Sequence, residues 1–355
     1  MRRATELYDI KGDVMFIEST SALKQMNKER IRKESQKCES FTKSQIAKMT
    51  GLSVATCNTF LNEMFSTGEI FKVDQEELIM GRPADRFSYN KDYHHVMGLY
   101  VYSARGENTI CYTVADALGN WLDREKKEVK IITYDEILGV VTSAVKQDPL
   151  IRSISVGIPG ITRHGVVESC DIESLVGSDL EGGLTSETKI DVEVRNDMDF
   201  LTYGAYYTMY QGKDNLATVF FPEDSTGTFG CGFIINGRIL RGHTRFSGEL
   251  AYVLEAFGIS REQQVMDGND PEKLRNNMSK VIMTITAVID PEEIILLSKS
   301  LSDENLNIIL ELCTDIIPKD HIPKIVVEHD YEGLYSSGLI RASIGRLQYP
   351  ILNPM

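Results

Sequence analysis

The sequence predicts an α/β protein in two parts: a small N-terminal winged helix-turn-helix, then a longer domain of strands with crossover helices. Three observations carry that expectation. A helix, a tight turn, a second helix and two alternating strands follow one another within residues 40–90, and strands alternate with helices beyond residue 96. The charge also divides at the same place. Residues 1–93 hold 15 Lys and Arg against 14 Asp and Glu, whereas residues 94–355 hold 23 against 38. The net charge of −14 therefore resides in the second part, and the first is about neutral.

A chain of 355 residues with 42% hydrophobic content is long enough for two or three domains with sizeable cores, which argues against disorder. No run of about 18 apolar residues occurs, and Met1-Arg2-Arg3-Ala4-Thr5-Glu6 leads into no apolar signal core. A cytoplasmic protein without a membrane partner is expected. Cys38, Cys57, Cys111, Cys170, Cys231 and Cys313 are scattered, with no C-x-x-C pair and no histidine at metal-ligand spacing. They read as reduced structural thiols.

Within residues 23–50, Lys24, Lys28, Arg30, Arg32, Lys33, Lys37, Lys43 and Lys48 stand against Glu29, Glu34 and Glu39. Such a patch suits phosphate attraction, which acts over roughly 10 Å at ordinary salt, and equally suits a solvated helix face. Residues 41–49 read as a short helix capped by Thr42, with Ile46 and Met49 on its apolar face. Gly51 supplies the left-handed residue a tight turn needs, Leu52 plugs the angle, and Ser53 caps the next helix.

That helix, Val54–Ser66, places Cys57, Phe60, Leu61, Met64 and Phe65 inward. Val54, Ala55, Asn58, Thr59 and Asn62, led by Ser53, form the other face, the candidate recognition surface for double-stranded DNA. Asn suits adenine, and no Arg is present there to read guanine. Lys43 and Ser44, at a helix start, suit phosphate contacts. Residues 69–73 and Arg86–Tyr89 alternate as strands of a wing, joined through Gly81-Arg82-Pro83. Arg82 suits a narrow A·T-rich minor groove, or is a salt-bridged turn residue.

In the second part, residues 96–102, 109–114 and 127–132 read as strands, with Leu118-Gly119-Asn120 as a hairpin turn. Residues 137–145 show helical periodicity, and 154–158 and 190–194 are apolar strands. A partly parallel sheet follows.

Several motifs, in order, resemble the ROK family (repressor, open reading frame, kinase). Asn27-x-x-Arg30-Ile31, Lys43-Ser44-x-Ile46-Ala47, Thr50-Gly51-Leu52-Ser53-x-x-Thr56, Gly68-x-Ile70 and Gly81-Arg82-Pro83 resemble the winged helix-turn-helix of its repressors. Val156-Gly157-Ile158-Pro159-Gly160, Asn196-Asp197, the glycine-rich stretch from Thr226-Gly227-Thr228 through Gly230 and Gly232 to Asn236-Gly237, Ser247-Gly248-Glu249 and Ile289-Asp290-Pro291 resemble its sugar-kinase-like domain. The resemblance implies a two-lobed, actin-like (sugar kinase/ribonuclease H-like) fold. It divides the chain into an arm at 1–20, a DNA-binding domain at 21–92, and lobes at 93–200 and 201–355, the C-terminal helix being free to return to the first lobe.

The same resemblance assigns roles. Asn196 binds sugar, Asp197 holds the catalytic-base position, and Glu249 holds a sugar hydroxyl. Asp171 stands where the family has a sugar-touching Asn, and Gly160 forms the turn before the cleft. Apart from the resemblance, His243 is expected to line the same cleft because Gly242-His243-Thr244-Arg245 directly precedes Ser247-Gly248-Glu249. Two residues have simpler readings as well: Asp171 as a loop or cap residue, and Glu249 as a cap for the helix that follows it.

The sequence departs from the family's kinases at two places. Their Asp-x-Gly-x-Thr-like phosphate turn is here Gly98-Leu99-Tyr100-Val101-Tyr102-Ser103-Ala104, and Tyr252 stands where the resemblance puts a zinc-binding His, with no cysteine between Glu249 and Cys313. The Gly227 to Gly232 loop is assigned a structural role. No zinc, no nucleotide cofactor and no kinase activity are expected. The expected function is a DNA-binding regulator, a repressor forming a homodimer or higher homo-oligomer, that senses a sugar or sugar derivative. The alternatives are an active ATP-dependent sugar kinase with an appended DNA-binding domain, and a domain kept only as a dimerisation scaffold.

Overall fold

The computed structural model describes residues 5–8, 14–17, 20–73, 85–104, 106–221 and 227–348. It divides into two compact units: residues 1–94 with 116–120 and 344–354, and nearly all the rest.

In the first unit, β1 (Thr5–Tyr8) pairs antiparallel with β2 (Val14–Ile17). There follow α1 (Thr20–Gln36), β3 (Phe41–Thr42), α2 (Lys43–Thr50), α3 (Val54–Ser66), β4 (Ile70–Val73) and β5 (Arg86–Tyr89). Local chemistry fixes the α2–α3 corner. Thr42 and Gln45 form a reciprocal capping box, Gly51 takes φ 67°, and the Ser53 hydroxyl accepts from Thr56 N at 3.1 Å. Ile31, Phe41, Ile46, Cys57, Leu61, Met64 and Ile70 are buried together.

Three expectations for this unit need correction. The sheet has order β3-β5-β4, and its two-residue strand β3 was not foreseen. Met49 and Phe65 are not inward but 44% and 45% exposed, because each lies about 100° around its helix from the buried stripe beside it. The basic patch is also smaller than its composition suggests. Arg32 is buried in an ion pair with Glu69, Lys28 pairs with Glu63 at 2.6 Å, and Lys37 pairs with Glu34 at 2.6 Å. The Glu69 carboxylate also accepts from Tyr89 Oη at 3.1 Å, and Arg32 donates to the Gln348 carbonyl at 2.8 Å.

The second unit starts with β6 (His95–Ala104), β7 (Glu107–Ala115), β8 (Trp121–Val129), α4 (Tyr134–Gln147) and β9 (Ile151–Ile158). Next come β10 (Gly160–Arg163), β11 (Val166–Cys170), α5 (Leu180–Thr188) and β12 (Asp191–Asn196). The first sheet runs β12-β9-β6-β7-β8, parallel across its first three strands and antiparallel thereafter. The turn at residues 118–120 forms as expected, with Asp116 Oδ1 accepting from Leu118 N and Asn120 N. The third strand, however, is 121–129 rather than 127–132. It is an exposed edge rich in charge, so it shows no apolar alternation, and Ile131 beyond it is 60% exposed.

After α6 (Asp197–Met209) come β13 (Leu216–Phe220), β14 (Cys231–Ile235), β15 (Arg238–Ile239), α7 (Leu250–Ala256), α8 (Arg261–Asp267) and α9 (Pro271–Ile289). The chain then adds β16 (Glu293–Leu297), α10 (Asp303–Thr314), β17 (Lys324–Glu328) and α11 (Tyr331–Gln348). The second sheet, β15-β14-β13-β16-β17, is again mixed. Helix α11 packs on the first sheet, where Ser343 Oγ donates to Met97 O at 3.2 Å and lies 2.7 Å from Ser155 Oγ. It also meets α6 so closely that a Cβ at Gly204 would strike the Leu334 carbonyl and one at Gly338 the Phe200 carbonyl. Glycine is what lets these two backbones touch. All six cysteines are free thiols, and among the described residues no helix is long and apolar enough to cross a membrane.

Candidate functional site

Parallel neighbours β9 and β12 end in register, Ile158 beside Asn196, so both chains turn out of the sheet at one rim. Ligands of open α/β sheets bind at such carboxyl ends. Here the second unit holds a cavity of about 660 Å³, lined by Gly160, Asp171, Asn196, Asp197 and Glu249 among others. Five of the six residues proposed for ligand contact thus share one cleft.

Each is held by its element. Asn196 caps α6, its Oδ1 accepting from Met198 N at 2.8 Å while its Nδ2 donates to the Gly160 carbonyl at 3.1 Å. Asp197 Oδ1 accepts from the same amide at 2.8 Å. The Asp171 backbone N–H donates to Pro159 O at 2.9 Å, folding the loop after β11 over the rim. Glu249 precedes α7 but makes no side-chain cap, so the simpler reading of it as a helix cap is not what the structure shows.

His243 stands apart. It is exposed and lines neither this cavity nor its small neighbour, while Arg241 and Arg245 line a pocket of about 20 Å³ with Asn196, Asp199 and Glu249. Gly242 and Arg245, both at positive φ, turn this loop so that position 243 falls outside the cleft.

Burial pushes the Asp197 carboxyl up to about 7, with Asp171 and Glu249 adding like-charge repulsion and the Met198 amide opposing. Burial also raises Asp171 and Glu249, and Arg261 pulls both back. Arg261 is the residue that sequence reasoning missed. The first residue of α8, it lies 4.3 Å over the Tyr252 ring and donates from Nε to Glu255 at 3.0 Å. Nothing local marks it, since Ser260 before it reads only as a helix cap.

At the other end of the cavity, Tyr100 stacks on Tyr335 with ring centroids 4.3 Å apart, and Lys126 and Lys299 stand nearby. The backbone of residues 98–104 lies in strand β6, paired with β7 along its whole length. These residues do not fit a phosphate cradle, which needs amides free to wrap an anion. In the glycine-rich segment, Gly230 and Gly232 admit α6, since a Cβ at Gly230 would lie 3.0 Å from Met198 Cγ and one at Gly232 would strike Thr202. Thr226 of that motif lies outside the described residues. For zinc the donors do not fit either. Position 252 is a tyrosine engaged by Arg261, and among the described residues no three His, Cys, Asp or Glu gather as a ligand set.

In the first unit, the residues proposed for DNA contact lie on α2 and α3. Lys43 Nζ donates to Asn62 Oδ1 at 2.5 Å, joining the two helices. Ser44, Ser53, Val54, Ala55 and Thr59 are exposed, and Asn58 is half-buried. Arg82 lies outside the described residues.

The chain is 23% identical over 248 residues to the xylose repressor of Bacillus spizizenii and 22% identical to that of Bacillus subtilis, covering 67% of this chain. The alignment spans 63% of those relatives' own length. A crystal structure of a ROK family transcriptional regulator, described as a homologue of the E. coli MLC protein, superposes with a TM-score of 0.67 at 16% identity, over 91% of this chain and 96% of that one. A ROK family protein from Streptococcus pneumoniae in complex with sucrose superposes with a TM-score of 0.54 at 18% identity, over 71% of this chain and 100% of that one. These likenesses show the fold of the second unit, the actin-like sugar-kinase fold of two mixed sheets with flanking helices. The ROK family model matches residues 104–264, the stretch that supplies most of the cleft.

Proposed function

We propose that this chain is a DNA-binding transcriptional regulator, a homodimeric repressor, whose second unit senses a sugar or sugar derivative without phosphorylating it. One observation carries the reading. The hydroxyl-binding end of the cleft keeps Asp171, Asn196, Asp197 and Glu249 together, while the end a nucleotide would need is a paired strand faced by stacked tyrosines. A sugar could be held there by hydrogen bonds, but the triphosphate and its metal lack a cradle.

In the first unit we read α2, the Gly51 turn and α3 as a helix-turn-helix, with β4 and β5 as its wing. Cytoplasmic residence follows from that role. The xylose-repressor likeness and the superposition on a transcriptional regulator support this reading. Ligand and DNA would be coupled because the sugar favours one of two conformations that differ in operator affinity.

An active kinase is the second reading, and Asp197 favours it. A carboxyl raised to about 7 is matched to taking a proton from a sugar hydroxyl near neutral pH. Two measurements separate the readings. Salt-sensitive binding of duplex DNA by the full chain, lost on deleting residues 1–92 and altered by a sugar found in a thermal-shift screen, supports the regulator. ATP-dependent turnover of a hexose or amino sugar at about 10 per second, an ordinary enzyme rate, would overturn the non-enzymatic reading.

A further inference from the structure

The outward face of α3 has an unusual chemical make-up for a surface that meets DNA. The helix holds a single charged residue, Glu63, and Lys28 neutralises it at 2.6 Å. Positions 54, 55, 58 and 59 fall on one side at helical spacing. Val54 is 50% exposed, and Ala55 and Thr59 are exposed beside it. The Thr59 hydroxyl donates back to the Ala55 carbonyl at 3.1 Å, so its one donor is engaged within the helix and its methyl and an acceptor oxygen remain for contact. The Asn62 carbonyl is taken by Lys43, whereas the half-buried Asn58 amide makes no side-chain hydrogen bond among the described residues. Lys24 on α1 and Lys48 on α2 are exposed as well, whereas the α3 face itself offers methyl groups.

The edges of bases in a major groove offer one apolar group, the C5-methyl of thymine. Guanine instead presents two acceptors that are matched by Arg or Lys, and α3 carries neither. We infer that α3 reads its operator through thymine methyl groups, with Val54, Ala55 and Thr59 packing against them and Asn58 pairing with an adenine. The inference rests on the DNA-binding reading above and goes beyond it, because it names the base feature that is recognised. Exposed lysines of α1 and α2 supply phosphate attraction, which positions a reader without specifying sequence.

The test uses the full chain and a random duplex pool of roughly 20 base pairs, about two helical turns. The best selected duplex is remade with deoxyuridine in place of each thymine in turn, which deletes only the C5-methyl. The expected result is a loss of about fourfold at each contacted thymine, the value of one buried methyl. In the V54A/T59S double variant, which removes the protein's side of those contacts, that loss should shrink to below about twofold. Deoxyuridine duplexes that bind like the parent at every position would overturn the methyl reading and leave DNA recognition standing. A pool that shows no enrichment would overturn the DNA-binding reading, and this inference with it.

Discussion

Tyr335 lies on Tyr100 with ring planes 26° from parallel, and its hydroxyl sits where a Cβ at position 157 would be. That contact makes Gly157 a packing residue as well as part of the turn motif before the cleft. The Tyr335 hydroxyl is buried and finds no hydrogen-bond partner among the described residues. Tyr335→Phe should therefore leave stability unchanged or raise it by about 1 kcal/mol, whereas Tyr335→Ala should cost about 3 to 5 kcal/mol. Urea denaturation of both variants checks this. A Phe variant that loses as much as the Ala variant would mean that the hydroxyl has a partner.

Local chemistry explains what could be read from the sequence. Thr42, Gly51 and Ser53 act on neighbours within four residues, so the α2–α3 corner was legible from caps and a turn alone. Strand β8 was not, because an exposed charged edge has no apolar period, and β3 is too short to have one. The cleft shows the same division. Asn196, Asp197 and Glu249 were legible by resemblance to a motif, whereas Arg261 reaches the site only through the packing of α8. His243 was misjudged because closeness to Glu249 in sequence says nothing about which way a loop residue faces.

Asp197 makes stability depend on pH. Its folded pKa, about 7, lies above the usual carboxylate value near 3.8, so the folded state binds more protons between those pH values. Its contribution is fully present below about pH 4 and is lost as pH rises through 7, with an upper bound of about 4 kcal/mol. Asp197→Asn keeps an acceptor for Met198 N and cannot ionise. The variant should therefore gain on the wild type between pH 4 and pH 7 and hold that gain above it, as followed by denaturant midpoints at several pH values. Parallel pH profiles for the two proteins would contradict the assignment.

The buried Arg32–Glu69 pair in the first unit should be costly to break from one side. With Glu69→Gln the Arg32 charge stays buried without its carboxylate, a change that typically costs about 3 to 5 kcal/mol. Replacing both residues with Met and Leu should recover most of that loss. Circular dichroism melts of the three proteins give the comparison, and a Gln variant as stable as the wild type would show that the other partners of Arg32, the Gln348 carbonyl among them, suffice to hold its charge.

Glu249 offers the cleanest test of the cleft, because its removal should harm binding without harming the fold. It lines the cavity with Asp171, Asn196 and Asp197, yet it caps no helix, unlike Asn196, whose amide is committed to α6 and Gly160. Replacing Asn196 would therefore mix the loss of a helix cap with the loss of a ligand contact. Glu249→Ala removes one acceptor for a sugar hydroxyl and leaves that hydroxyl facing an unpaired site, which typically costs about 1 to 3 kcal/mol, or roughly 5- to 150-fold in affinity. Folding stability should change by less than about 1 kcal/mol, and should even rise near neutral pH, because burial penalises this carboxylate. Calorimetric titration with the sugar that stabilises the wild type, alongside urea denaturation, separates the two effects. Unchanged affinity in a folded Glu249→Ala protein would move the sugar site away from this cleft.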